Sequence, residues 1–108
     1  MYVLTAVRLL ISLLTQVIEL EPQNLDAYFY RAIAKNDLGN YRGAIVDYSK
    51  IIVTEPDADT YFNRGNSRYS LKDFTGAKED YAKGTHHKPG NKKKPGGKAG
   101  FSKGLLGD

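Results

Sequence analysis

Residues 28–50, YFYRAIAKNDLGNYRGAIVDYSK, recur 33 positions later as residues 61–83, YFNRGNSRYSLKDFTGAKEDYAK. Nine positions are identical in that register: Tyr28/Tyr61, Phe29/Phe62, Arg31/Arg64, Leu38/Leu71, Gly43/Gly76, Ala44/Ala77, Asp47/Asp80, Tyr48/Tyr81 and Lys50/Lys83. Others are conservative, such as Lys35/Arg68 and Tyr41/Phe74. A unit of this length cannot bury its apolar face alone, so copies stack on one another and share a continuous core. The repeat points to an architecture built by stacking, and to binding rather than chemistry.

Each copy reads as two helices and a turn. In the first, Ala27, Tyr30, Ala34 and Leu38 fall about one helical turn apart, with Ile33 beside them. Pro22 cannot continue a preceding helix, and Asn24 is a capping residue whose side chain accepts from orphan amides. Gly39 and Asn40 tolerate the left-handed conformation of a helix terminus, so the first helix is expected over residues 25–38. A second helix is expected from Tyr41 to about Thr54, turning Ala44, Ile45, Tyr48, Ile51 and Ile52 inward. Glu55-Pro56-Asp57 repeats the punctuation. The next pair of helices is expected over about residues 58–71 and 74–84, with Lys72-Asp73 as the turn. Small residues (Ala32/Gly65, Ala44/Ala77) alternate with large aromatics (Tyr28/Tyr61, Tyr41/Phe74, Tyr48/Tyr81), as close packing of antiparallel helices demands.

On these residues the chain resembles the tetratricopeptide repeat family, in its Y-x-x-R-G…L-x-D-[YF]-x-G-A-x-x-D-Y-x-K variety. Tyr28, Ala32, Tyr41, Ala44, Tyr48 and Pro56 fill the family's places in one unit, and Tyr61, Gly65, Phe74, Ala77 and Tyr81 fill them in the next. The resemblance covers residues 25–83, takes in residues 17–24 as a partial unit, and does not reach the last part of the chain. Two departures concern the helix ends. Ile51 stands where a small residue is usual, and Lys78 replaces the first unit's Ile45, making the last helix less apolar.

The resemblance implies an all-α fold, a short right-handed superhelix of about two and a half helical hairpins. It divides the chain into residues 1–24 (second helix of a partial unit), 25–57 (one unit), 58–84 (a unit incomplete at its end) and a tail, 85–108. It also implies a non-catalytic protein–protein interaction module, without a cofactor, that holds a partner segment in a concave groove lined by the first helix of each unit. The groove face would then comprise Asp26, Phe29, Tyr30, Ile33 and Asp37 from one unit and Phe62, Asn63, Asn66 and Ser70 from the next. Asn63 matches an asparagine that holds peptide backbone in family members gripping a C-terminal carboxylate. The lysine and asparagine that accompany it there are Phe29 and Ile33 here, so that kind of clamp is not expected. An extended or helical segment with apolar side chains suits Phe29, Tyr30, Ile33 and Phe62 better.

Residues 2–20 are apolar apart from Thr5, Arg8, Ser12, Thr15, Gln16 and Glu19, and three readings compete for them. A transmembrane helix needs about 20 predominantly apolar residues, and this run reaches that only with Arg8 inside it. A secretory signal wants a small-residue cleavage site, and none of A-x-A type follows Leu13-Leu14. In the repeat reading, Val17-Ile18-Glu19-Leu20-Glu21-Pro22 aligns with Ile51-Ile52-Val53-Thr54-Glu55-Pro56, making residues 5–20 a second helix. That reading places the chain in the cytoplasm and leaves Leu9, Leu10, Leu13 and Leu14 as an open face, from which a homo-oligomer is an alternative expectation.

Charge is unevenly placed. Residues 1–84 carry ten Lys/Arg against eleven Asp/Glu, and residues 85–108 six Lys against one Asp, so the net charge of +4 belongs to the tail. A near-neutral body argues against a nucleic-acid-binding face on the repeats. The tail, THHKPGNKKKPGGKAGFSKGLLGD, is rich in lysine, glycine and proline and is expected to be disordered. Lys88, Lys92, Lys93, Lys94, Lys98 and Lys103 could attract nucleic acid or anionic membrane, but Phe101 is the single stacking aromatic among them, and that role is not favoured. The chain has no cysteine, which excludes disulfides and thiolate metal sites. His86-His87 lacks neighbouring carboxylates to complete a metal site, and Gly96-Gly97-Lys98-Ala99 lacks the leading glycine and the hydroxyl of a phosphate-binding loop. No catalytic constellation is present in the sequence.

Overall fold

The structure, a computed structural model, describes residues 2–88. These residues form five helices and no strand: α1 (Tyr2–Leu20), α2 (Leu25–Asp37), α3 (Tyr41–Thr54), α4 (Ala58–Ser70) and α5 (Phe74–Thr85). Each helix packs against its neighbour in the chain, so sequence order is also spatial order.

The helix starts follow one device used four times. The side chains of Asn24, Asn40, Asp57 and Asp73 accept from the backbone N–H of Ala27 (3.0 Å), Gly43 (2.9 Å), Thr60 (2.8 Å) and Gly76 (3.0 Å). Each bond satisfies one of the amides that a helix start leaves without an intrahelical partner. Asn24/Asp57 and Asn40/Asp73 are themselves counterparts in the 33-residue register. The turns inside the two hairpins also match: Gly39 (φ 83°) and Lys72 (φ 68°) take the same left-handed conformation. Glycine adopts it freely, whereas a side-chain-bearing residue meets steric opposition there.

The first hairpin is the better filled. Phe29, Ala32, Ala44, Tyr48 and Ile51 are buried together, with Leu25, Tyr28 and Ile33 packed against them. The rings of Phe29 and Tyr48 meet edge to face at 6.0 Å between centroids. In the second hairpin Gly65 replaces Ala32, and a Cβ there would sit 2.6 Å from Tyr81 Cε1. The Tyr81 ring thereby lies directly on the α4 backbone, and its hydroxyl donates to Asn66 Oδ1 at 2.6 Å.

Burial also sets the chemistry of Tyr48, which is 2 % exposed. Desolvation, with the charges of Asp37 and Asp47 adding to it, pushes the phenol well above its ordinary pKa of 10.0. Because the folded-state pKa is raised, the stability linked to this group is complete below about pH 10 and is lost progressively as pH rises beyond it. Tyr48→Phe should therefore flatten the decline of the urea midpoint between about pH 10 and 12 relative to the parent chain. Parallel declines in the two proteins would show that Tyr48 is not the group responsible.

Two charged clusters join the helices in threes. Arg31 of α2 donates Nε and Nη2 to the two carboxylate oxygens of Asp47 on α3 (2.9 and 2.8 Å) and Nη1 to Thr15 Oγ1 on α1 (3.1 Å). Thr15 donates its own proton to the Ile11 carbonyl at 2.7 Å, which leaves its oxygen to accept. Arg64 of α4 repeats the arrangement with Asp80 on α5 (2.9 and 2.8 Å) and Ser49 Oγ on α3 (3.0 Å). Asp47 and Asp80 are each 1 % exposed. A second cation completes each cluster, Lys35 at 3.3 Å from Asp47 and Arg68 at 3.2 Å from Asp80. A buried carboxylate is tolerable only when paired and hydrogen-bonded in this way. The Asp47 hydrogen bonds raise the Arg31 pKa further, against the opposing effect of burial.

Three boundaries differ from the expectation. α1 begins at Tyr2 rather than at Thr5. Leu38 and Leu71 cap α2 and α4 rather than continuing them, each donating its N–H back to the last-turn carbonyls. α5 runs to Thr85, and residues 86–88 turn back onto α4, so the expected disorder of residues 85–108 does not hold for its first four residues. The Ala58 N–H donates to the Lys88 carbonyl at 3.0 Å, and the His87 ring lies 4.9 Å from that of Tyr61. The expectation for residues 89–108, including Lys92, Lys93, Lys94, Lys98 and Lys103, lies outside the described residues.

Candidate binding face

The residues expected to line a groove fall into two stripes. On α2, Asp26, Tyr30, Ile33 and Asp37 follow at steps of four, three and four residues, which keeps them on one side of a helix. Asn63, Asn66 and Ser70 form the matching stripe on α4. The two helices are joined at one point near their C-terminal ends, where Ser67 Oγ of α4 donates to Asn36 Oδ1 of α2 at 2.7 Å. Ser67 is fully buried there.

Exposure sorts the candidates. Tyr30 is 46 % exposed, and Asp26, Asp37, Asn66 and Ser70 are also exposed. Ile33 and Asn63 are half-buried. The Asn66 carbonyl is already engaged by the Tyr81 hydroxyl, so its amide group is the part left to face outward. Phe29 is a correction. It is 6 % exposed and belongs to the core of the first hairpin, because its ring turns toward Tyr48 on α3. Its contact with the face is indirect, through an edge-to-face meeting with Tyr30 at 5.5 Å. Phe62 is half-buried for a related reason: its ring lies over Gly84 of α5, where a Cβ would be 2.5 Å from Phe62 Cε1.

The stripes carry Asp26 and Asp37 and no Lys or Arg. At the N-terminal edge of α2 a cleft of about 310 Å³ is lined by Gln23, Asn24, Leu25, Asp26 and Glu55. This edge is polar and acidic, while the middle of the face presents the Tyr30 ring and part of Ile33.

No protein-family model matches this chain, and no curated protein is found to match it. The 33-residue repeat and its contacts therefore carry the functional reading by themselves.

The other candidate residues are placed as follows. Lys88 is exposed, and its backbone closes the chain onto the start of α4. His87 Nδ1 lies 2.8 Å from the Lys83 carbonyl, which assigns that nitrogen to a local backbone contact. Sequence reasoning missed the Arg31–Asp47 and Arg64–Asp80 clusters. Their signal was available, since all four residues are identical in the repeat register and each pair is sixteen residues apart. α1 is long and apolar enough to cross a membrane by length and composition, and its contact with the rest of the chain is made by one side, through residues such as Ile11, Leu14, Thr15 and Ile18.

Proposed function

We propose that this chain is a tetratricopeptide-type repeat module that holds an extended or helical segment of another protein against the joint face of α2 and α4. The observation that supports this best is the Asn36–Ser67 hydrogen bond, which joins the two first helices of the repeat near their C-terminal ends. In this reading the equivalent stripes share one surface, the concave side of a short right-handed stack. Tyr30 is the aromatic anchor, and Asn63 and Asn66 offer amide groups to the backbone of the bound segment. Asp26 and Asp37 favour a segment that carries Lys or Arg beside its apolar residues. The docking of α1 through Thr15 and Arg31 supports a chain that works in an aqueous compartment, the cytoplasm in this reading. The module is non-catalytic.

An immobilised library of short peptides, probed with the purified chain, tests this reading. Selected peptides should combine an apolar side chain with a basic one, and Tyr30→Ala should weaken their binding about tenfold or more without loss of helical circular dichroism. Equal binding by the parent and Tyr30→Ala chains would remove the α2/α4 face from consideration.

A further inference from the structure

The α2/α4 face and the last part of the chain carry opposite chemistry. The face holds Asp26 and Asp37 with the Tyr30 ring and part of Ile33, and neither Lys nor Arg stands on its stripes. Residues 89–108 hold five Lys against one Asp, and their large apolar side chains, Phe101, Leu105 and Leu106, come close together in sequence. Position matches charge. The Lys88 carbonyl accepts from the Ala58 N–H at 3.0 Å, and Glu55, which lines the cleft with Asp26, lies three residues before Ala58. Those three steps of chain span at most about 11 Å. Lys92, Lys93 and Lys94 follow Lys88 by four to six residues, enough chain for about 13–20 Å. Twelve residues lie between Lys88 and Phe101, enough for about 40 Å. Tyr30 and Ile33 stand only about 6 and 10 Å along α2 from Asp26.

The other open surfaces suit these residues less well. α5 exposes Lys78 and Lys83 beside a single Glu79. The exposed side of α1 is apolar, with one cation, Arg8, and one anion, Glu19. Neither offers a pair of carboxylates to draw a run of lysines. We infer that residues 89–108 occupy the α2/α4 face of their own chain, with Lys92, Lys93 and Lys94 at the cleft of Asp26 and Glu55, and Phe101, Leu105 and Leu106 over Tyr30 and Ile33. This rests on the reading of that face as a binding face, and adds that the chain supplies its own competitor. A short tether keeps its tip at an effective concentration of about 1 mM. A contact with an intrinsic Kd of about 0.1 mM then fills the face about nine-tenths of the time, and an outside segment must displace it.

Paramagnetic broadening in the full chain provides the test. The absence of native cysteine allows one nitroxide at Ser102→Cys, beside Phe101. With no peptide added, amide signals should broaden most at Tyr30, Ile33, Asn63 and Asn66, and least at Val46 and Val53 on the exposed side of α3. A mixture of nitroxide-bearing chain with isotope-enriched chain lacking the nitroxide should show none, since the contact lies within one chain. Phe101→Ser/Leu105→Ser/Leu106→Ser should remove the broadening and tighten binding of a library-selected peptide about tenfold. Asp26→Asn/Asp37→Asn should weaken the broadening. Broadening strongest on α1 or α5, broadening in the mixture, or broadening unchanged by either set of substitutions would each overturn the proposal. Peptide capture at the face without broadening would overturn the tail contact alone. Broadening without any captured peptide would uphold that contact and remove the outside partner.

Discussion

Asp47→Ala should destabilise the fold by about 3–5 kcal/mol, the usual cost of removing one member of a buried ion pair. For a small domain with a total stability of about 5–15 kcal/mol, this removes a large share of the folded population. The cost arises because the substitution leaves Arg31 facing the hole, with its side chain only 16 % exposed, and takes away the carboxylate that also holds Lys35. Arg31 would keep its bond to Thr15 but lose both strong ones. The effect should spread beyond α2 and α3, because the same guanidinium links α1 to the stack. Arg31→Met/Asp47→Leu, which removes both charges and fills the space, should cost markedly less than the single change. Urea unfolding of the single and double variants, followed by circular dichroism, reads both values. A loss below about 1 kcal/mol for Asp47→Ala, the range of exposed pairs, would show that the cluster is solvated and not a structural joint.

Phe29→Ala and Tyr30→Ala should behave as opposites although the residues are adjacent. Phe29 is buried among Ala32, Ala44, Tyr48 and Ile51, and its truncation should cost about 3–5 kcal/mol by lost burial and the cavity left behind. Tyr30 is 46 % exposed and touches Phe29 edge to face, so its truncation should cost about 1 kcal/mol, the worth of such a ring pair. Peptide binding should separate them in the other direction, with Tyr30→Ala losing affinity at unchanged helicity. Phe29→Ala should lose affinity only in step with unfolding. Thermal unfolding of the two variants beside the parent checks this, and equal losses would contradict the division of the two rings between core and surface.

The helices were legible in the sequence because their ends are written in local chemistry. Pro22, Asn24, Asn40, Pro56, Asp57 and Asp73 act within a few residues of themselves, and no distant part of the fold alters what they do. The buried clusters were less legible because charged side chains ordinarily face water. The clue lay in position rather than type. Asp47 falls three residues after Ala44 and four before Ile51, inside the apolar stripe of α3, and Asp80 repeats the placement beside Ala77 and Gly84. Phe29 was misplaced for a different reason. It lies at the margin of the α2 stripe, and whether a ring there turns outward or toward α3 depends on the space beside Tyr48, which spacing along one helix does not report. The end of α5, expected at about Gly84 and found at Thr85, rests on a contact of the same kind. Glycine is a poor helix former, but here the Phe62 ring takes the volume that a side chain would fill. Contacts between distant residues decided these cases, and no local signal carries them.

The central claim is that the α2/α4 face receives a partner segment, and amide chemical-shift mapping with a library-selected peptide tests it most directly. The largest shifts are expected at Tyr30, Ile33, Asn63 and Asn66, with little change at Val46 and Val53 on the exposed side of α3. Shifts confined to α1, or to the outer surfaces of α3 and α5, would contradict it.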